Sequence, residues 1–477
     1  MKLPVNKTKI VCTIGPASDS PDIMEQMLRS GMDVARINFS HGDFAGHKTV
    51  IENLRSAART TGKRVAIMAD LPGPKIRIGQ LIREPLELRS NDAFTLTTEE
   101  VPGDEHRVSV SLPRLPQAVK PGDILFLNDG FIQLEVTGKQ GTEISCHILA
   151  GGELRSRKGL NLPGIDLGIS AFTERDSECL KFALEQGVDA ISQSFVESRA
   201  DIEAVRSAAA AQGYHPFVIA KIERSRALDH IDEILEAADG IMVARGDLGV
   251  ETPIERIAVI QKQIIRKANL TGKPVITATQ MLESMIASRR PTRAESTDVA
   301  NAILDGTDCV MLSEESAMGS YPVEAVSMLA RIAAAIEPHQ SANTVRETLK
   351  EGGRSREQGL TDLIALSVER TLEHISPAAV FVPTLTGATA RSIARFRLPV
   401  WITGVSSQEQ TCRRLQFSYG VYPVHEPDHP EDWNAYSRAW LAKHGVEGNI
   451  VIVTEGPSSR HPEANNRMEI LDLTRKI

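Results

Sequence analysis

Short, continuously apolar runs that end abruptly in charge recur along this chain, separated by segments whose apolar residues fall at helical spacing. Phe217-Val-Ile-Ala220 is such a run and stops at Lys221-Ile-Glu223. Ser225 to Ala238 then carries Ala227, Leu228, Ile231, Ile234 and Leu235 at i, i+3 and i+4 steps, which predicts one helix behind a Ser225 cap. Gly240-Ile-Met-Val-Ala244 repeats the run and ends in Arg245-Gly246-Asp247. Continuous apolar runs mark strands buried on both faces, and two parallel strands joined by a helix lie side by side with their C-terminal ends pointing the same way. Lys221, Glu223 and Asp247 are therefore expected at one rim, with Lys221 and Glu223 on the same side of their strand.

The same rhythm opens the chain. Strands are predicted over 9–14, 32–40 and 64–70, with helices over 21–29 and about 43–61 between them. From Leu71 to about Asp166 it breaks into short alternating strands, 93–97, 107–110, 124–127, 132–136 and 143–148, punctuated by Pro-Gly, Asp-Gly and Gly-Gly. That predicts a small antiparallel β domain inserted into an α/β unit. Beyond Phe172 five more strand-and-helix units follow, with strands over 189–195, 217–223, 240–245, 274–279 and 308–313. Three strands and five make eight, the number that closes a (β/α)8 barrel, whose chemistry sits at the C-terminal rim. Arg36, Asn38, Ser40, Asp70, Lys221, Glu223, Asp247, Thr279 and Ser313 all fall at that rim.

A polar stretch from Glu337 to Gly359 reads as a linker. Beyond it, a helix over 361–376, strands over 379–383, 400–403 and 449–454, and a helix over 390–396 predict a small doubly wound sheet. The divisions expected are 1–70 and 167–340 for the barrel, 71–166 for the insertion and 341–477 for the last domain. The turn Thr384-Leu-Thr-Gly-Ala-Thr389 has the hydroxyls to hold a phosphate at a helix start, or to cap an ordinary βα loop.

Composition narrows the partners. A net charge of -8 with no long lysine or arginine block argues against nucleic acid, so an anionic substrate must be met by a few local cations. No run of 18 apolar residues suggests a membrane span, and the opening residues carry no apolar targeting segment, so a cytoplasmic protein is expected. Five scattered cysteines without a CxxC pair point to neither disulfides nor zinc.

One ammonium and two carboxylates at a single point suit a divalent cation beside a phosphate. The acids are hard oxygen ligands for Mg2+, and the lysine is a point charge for a phosphoryl group in transit. The alternative is a salt bridge at a strand end, which two consecutive strands with the same pattern make less attractive.

Thr8-Lys-Ile-Val-Cys-Thr-Ile-Gly-Pro16, Asp33-Val-Ala-Arg-Ile-Asn-Phe-Ser-His-Gly42, Gly159-Leu-Asn-Leu-Pro-Gly164, Ile219-Ala-Lys-Ile-Glu223, Ala244-Arg-Gly-Asp-Leu-Gly249, Ala278-Thr-Gln-Met-Leu-Glu-Ser-Met285 and Pro291-Thr-Arg-Ala-Glu295 resemble, in order, the motifs of the pyruvate kinase family. The resemblance covers nearly the whole chain. It implies a (β/α)8 barrel with an inserted β-barrel lid and a C-terminal α/β regulatory domain, assembled as a homotetramer, and phosphoryl transfer from phosphoenolpyruvate to ADP. It further implies that Glu223 and Asp247 hold Mg2+, or Mn2+ in its place. Lys221 would stabilise the transferring group, and Arg36 would meet its phosphate. Gly246, Asp247 and Thr279 would bind the enolpyruvate end, with Thr279 helping to deliver the proton. Asn38, His41, Arg77 and Lys158 would address the nucleotide. No GxxxxGK[ST] loop is present, so metal and side-chain cations would hold the nucleotide phosphates.

Departures from the family pattern refine this. Asp70-Leu-Pro-Gly-Pro-Lys75 stands where the family usually has Asp-Thr-Lys-Gly-Pro-Glu. A tethered ammonium at Lys75, beside the K+ ligands implied at Asn38, Ser40 and Asp70, predicts activity without K+, since two cations so close repel. Ser313-Glu-Glu-Ser316 replaces the usual Ser-Gly-Glu-Thr, which weakens a role for Ser313. Thr384, Thr386, Gly387 and Thr389 resemble the family's effector loop, whereas Gly456 to Asn466 departs from members that answer to fructose 1,6-bisphosphate, pointing to a sugar monophosphate or a nucleotide. Two other readings remain at this point, a metal-dependent barrel aldolase or lyase acting on pyruvate and a catalytically silent phosphometabolite sensor.

Overall fold

A computed structural model describes residues 2–340, 359–456 and 465–475. Eight parallel strands close into a barrel: in chain order Lys9–Thr13, Val34–Asn38, Ala66–Leu71, Ala190–Gln193, Phe217–Ile222, Gly240–Ala244, Val275–Ala278 and Cys309–Leu312. Each pairs with its sequence neighbours, and the first pairs with the eighth through Lys9 and Cys309. All eight predicted strands are present, most trimmed by a residue or two at the ends. Nearly every strand residue is buried because the barrel is filled on the inside and covered by helices outside.

The residues after the third strand leave the barrel. A six-stranded sheet runs through Leu160–Asn161, Ile124–Leu127, Ile132–Gln140, Glu143–Ala150, Ala93–Thr97 and Arg107–Ser109, in that spatial order. Bridges from Arg77 to Gly159 and from Ile78 to Val110 join its two edges and roll it into a small barrel around Phe94, Leu96, Leu134 and Ile148. One pair departs from the antiparallel expectation, since Arg107–Ser109 runs parallel to Ala93–Thr97. A second sheet, Leu86–Leu88 with Gly152–Leu154, went unread because each strand has only three residues and alternation needs about four to register.

The last domain is a five-stranded sheet, four strands parallel and Arg467–Asp472 antiparallel at the edge. The strand expected over 400–403 lies at Ile402–Ser406, and the helix expected from 390 begins at Ala388. Its Val421–His425 strand and Trp433–His444 helix were not anticipated, the first because Pro423 interrupts the run. Of the predicted linker, 341–358 lies outside the described residues, as does 457–464 of the departure noted near the end of the chain.

The helix predicted from Ser225 to Ala238 is instead two pieces, a 3-10 turn over Ser225–Leu228 and an α-helix over Ile231–Ala237. Ser225 does not cap it. Its hydroxyl donates to Glu251 at 3.2 Å, a tertiary bond that helical periodicity does not report.

Candidate active site

At the C-terminal mouth of the barrel lies a cavity of about 90 Å3 lined by Arg36, Asn38, Ser40, Asp70, Lys75, Lys221, Glu223, Asp247, Thr279 and Ser313, together with Pro72, Ser194, Phe195, Met242, Ala244, Ala278 and Met311. Ten residues singled out from the sequence thus share one cavity. A larger cavity, about 640 Å3, lies at the opposite mouth, between the barrel and the last domain, and contains none of them.

Lys221 anchors the site. Near the end of the fifth strand its Nζ sits 2.9 Å from Glu223 Oε1, 2.8 Å from Ser194 Oγ and 3.3 Å from Asp70 Oδ2. Burial pulls the Lys221 ammonium toward neutrality, but Asp70 and Glu223 outweigh it and hold its pKa above the usual lysine value. Asp70, at the end of the third strand, accepts from Arg36 Nε at 2.8 Å. Burial alone would raise Asp70, yet Lys221 and Arg36 keep it below the usual carboxylate range. Among the described residues nothing hydrogen-bonds its buried Oδ1. Arg36 also donates to Thr13 Oγ1 at 2.9 Å, which orients the guanidinium across the rim.

Asp247 does not come from a strand end as expected. The sixth strand stops at Ala244, and Arg245–Glu251 turns into a helix that carries Asp247 over the rim. Arg245 fastens that turn by donating to Thr279 O at 2.7 Å and Asp298 Oδ1 at 2.7 Å. Burial and repulsion from Glu223 push Asp247 up to about 6, with Lys221 and Lys75 pulling the other way. Two acids that repel each other in a buried cleft are a donor set short of positive charge, and hard carboxylate oxygens fit a divalent cation. Among the described residues no group of three or more His, Cys, Asp or Glu forms a fuller metal site, so such a cation would need substrate or water for its other ligands.

Thr279 adopts φ +68, a left-handed conformation uncommon for a β-branched residue. Its hydroxyl donates to Ala278 O at 2.6 Å and accepts from Gly246 N at 2.8 Å, so Gly246, outside the lining itself, is joined to it through Thr279. Phe195 is also left-handed, φ +57, and its N–H donates to Glu223 Oε2 at 2.7 Å. Ser194 and Phe195 were missed, although the rule that picked out Thr279, a polar residue ending a barrel strand, would have found Ser194.

Lys75 is exposed on a loop held by Gly73, whose N–H donates to Asp176 at 2.9 Å. Gly73 sits at φ +64, and a Cβ there would lie 2.8 Å from the Phe195 ring. His41, Arg77 and Lys158 stand outside the cavity lining. Even so, burial and then the charges of Lys75, Arg77 and Arg36 depress the His41 pKa, which puts His41 within a basic margin of the mouth. Arg77 donates to Arg157 O at 2.8 Å. Ser313 N donates to Glu315 at 2.6 Å.

In the last domain, the Thr384 hydroxyl accepts from Gly387 N at 2.9 Å and that of Thr386 from Ala388 N at 3.4 Å. These hydroxyls occupy the backbone donors a phosphate would take. Thr389 lies inside the helix that begins at Ala388, not in the turn.

Comparison with known proteins identifies the family. The family model described as "Pyruvate kinase, barrel domain" matches residues 5–326, and "Pyruvate kinase, alpha/beta domain" matches residues 362–471. A pyruvate kinase of Thermococcus litoralis is 46% identical over 477 residues, covering 99% of this chain and 100% of the relative. One of Geobacillus stearothermophilus is 44% identical, covering 97% of this chain and 80% of the relative. The crystal structure of a pyruvate kinase from Cryptosporidium parvum superimposes with a TM-score of 0.92 at 35% identity, over 98% of this chain and 96% of that one. With barrel, insertion and α/β domain all matched, the chain belongs to the pyruvate kinase family and is a phosphotransferase of glycolysis that uses phosphoenolpyruvate and ADP and, as the family generally does, a divalent metal.

Proposed function

We propose that the rim cavity is where the phosphoryl group passes from phosphoenolpyruvate to ADP, with Lys221 at its centre. The observation that carries this is the Lys221 ammonium, buried yet still charged, between Glu223 and Asp70. A positive group fixed in advance where charge spreads over the transferring oxygens needs no reorganisation during the reaction. Arg36, braced by Asp70, meets the same phosphoryl group from the second strand. Glu223 and Asp247 would hold Mg2+, with Mn2+ as a substitute, which when bound neutralises phosphoryl and carboxylate charge together. Gly246, Asp247 and Thr279 address the carboxylate end, and the Thr279 hydroxyl is placed to deliver a proton to the enolate. Asn38, His41, Arg77 and Lys158 take the nucleotide phosphates along the basic margin. The insertion, which we divide from the barrel at about residues 71 and 166, acts as a lid that excludes water on closing.

Lys75 supplies the positive field that K+ would otherwise provide, with Asn38, Ser40 and Asp70 orienting it or the substrate. Thr384, Thr386 and Gly387 of the turn, with Thr389 in the helix behind it, take a phosphorylated effector, a sugar monophosphate or a nucleotide, in the domain beginning near residue 341, the effector's phosphate displacing the hydroxyls from the Gly387 and Ala388 N–H groups. We place the enzyme in the cytoplasm as a homotetramer, as membership of a glycolytic enzyme family implies.

A coupled assay for pyruvate, with and without Mg2+ and with each candidate effector, tests the scheme. Lys221→Met is expected to lower kcat by about 10²–10³, the usual effect of losing one preorganised charge-stabilising donor. Full turnover in that variant would remove Lys221 from the chemistry. No response to any phosphorylated effector would remove the regulatory reading.

A further inference from the structure

The two acids assigned to the metal are held in unlike ways. Glu223 is fixed directly by Lys221 at 2.9 Å and by Phe195 N–H at 2.7 Å. No donor among the described residues bonds the Asp247 carboxylate, so its position is set by the helix that carries it. That helix, Arg245–Glu251, is about two turns long. Asp247 and Glu251 stand four residues apart on one face of it, one aimed at the cavity and the other buried beneath.

Glu251 reaches the segment that directly follows Glu223. Its Oε2 accepts from Ser225 Oγ at 3.2 Å and from Ser225 N at 3.4 Å, and its Oε1 lies 3.7 Å from Arg224 Nε, an ion-pair contact with no hydrogen bond between the two atoms. Arg224, also buried, pairs with Glu197 Oε1 at 3.2 Å and donates to Ile165 O at 3.3 Å. Arg226 continues the network to Asp166 at 3.0 Å and to Glu197 at 3.1 Å. Ile165 and Asp166 lie on the return limb of the insertion, between Gly164 at φ +70 and Gly168 at φ +59. A buried ion pair of this kind is weak grounds for stability, since apolar residues of the same volume often serve as well. What it provides here, together with the Ser225 bonds, is a tie between the two segments.

We infer that Arg224 and Glu251 are positioning residues: they lock the end of the Asp247 helix to the residues after Glu223, and so set the separation of the two metal carboxylates and tie it to the return limb of the lid. This rests on the assignment of Glu223 and Asp247 to the metal. It also explains why the helix predicted from Ser225 breaks at its start, because Ser225 serves Glu251.

The test is binding of Mn2+ to the substrate-free protein, followed by electron paramagnetic resonance of the free ion, for Arg224→Gln, Glu251→Gln and Glu223→Gln, with kcat and KM for phosphoenolpyruvate and the thermal midpoint measured alongside. Groups that orient metal ligands without touching the metal typically govern 10- to 100-fold in affinity. Arg224→Gln and Glu251→Gln are expected to weaken Mn2+ binding by about that factor per folded molecule and to lower kcat, with KM for phosphoenolpyruvate changing less. A lowered midpoint with Mn2+ affinity within twofold of the parent would mean that the pair only stabilises the fold, and would overturn the proposal. If Arg224→Gln does not fold, the nearly isosteric Glu251→Gln decides alone. If Glu223→Gln loses Mn2+ while Glu251→Gln keeps it, the brace is wrong and the metal site right. If Glu223→Gln also keeps it, the metal site is wrong and the brace falls with it.

Discussion

The two mouths of the barrel both bury carboxylates, and they treat them differently. At the floor, both oxygens of Asp308 are occupied. Oδ1 accepts from Arg397 at 2.9 Å and from Tyr419 N at 2.9 Å, and Oδ2 from Arg397 at 2.9 Å and from Val275 N at 3.1 Å. The last domain supplies two of those donor residues and inserts Phe417 into the barrel interior, where its ring stacks on Phe217 with centroids 5.7 Å apart. At the rim, Asp70 leaves one buried oxygen without a partner, and Asp247 is pushed up to about 6 by burial and Glu223. Charge that is saturated by fixed partners holds a fold together. Charge left wanting is available to a ligand.

Substituting one acid at each mouth should separate these roles. Asp247→Asn should lower kcat/KM for phosphoenolpyruvate by about 10³, as removing the metal ligand proposed at this position costs several kcal/mol of charge stabilisation at about 1.4 kcal/mol per decade. The same change should leave the thermal midpoint equal or higher. A carboxyl whose folded-state pKa is raised opposes folding as pH climbs from its ordinary value through the raised one, and the neutral amide removes that cost at pH 7. Asp308→Asn should do the reverse. Breaking a buried pair costs about 3–5 kcal/mol, read as a lower denaturation midpoint, while kcat per folded molecule holds. If Asp308→Asn abolished turnover without loss of stability, the division between the mouths would collapse.

A finer probe stays at the rim. Ser194→Ala removes one of three partners of the Lys221 ammonium, worth about 1 kcal/mol, so kcat should drop roughly fivefold with little change in the midpoint. The smallest expected effect is that of K+. Adding KCl against a tetramethylammonium control at equal ionic strength should leave turnover nearly unchanged if, as proposed, Lys75 already supplies the positive charge. A large rise would return Asn38, Ser40 and the unpartnered Asp70 oxygen to an ion.

Much of the site was legible because the barrel converts local pattern into position. A charged residue ending an apolar run, such as Lys221 or Asp70, must lie at the rim once the strand is buried, and the motif order identified the family. Asp247 was placed on the right rim for a partly wrong reason, since its carrier is a helical turn whose seven residues, RGDLGVE, show no helical apolar stripe. Ser225 was misread as a cap because its partner, Glu251, is 26 residues away. The Thr384 and Thr386 hydroxyls were read either as phosphate ligands or as caps of the loop, and which of the loop's N–H groups they bond was set by the fold.

By itself, then, the sequence determined the number and order of the barrel strands, the interruption by a β insertion, the α/β tail, and which charges fall at strand ends. These follow from periodicities of two and 3.6 residues and from turn chemistry, all of which act over a few neighbours. Only the tertiary structure decided which of those charges are satisfied. The left-handed turns at Phe195 and Thr279, the orphaned oxygen of Asp70 and the brace from Glu251 to Ser225 depend on atoms brought together from distant parts of the chain, and burial decides their energies.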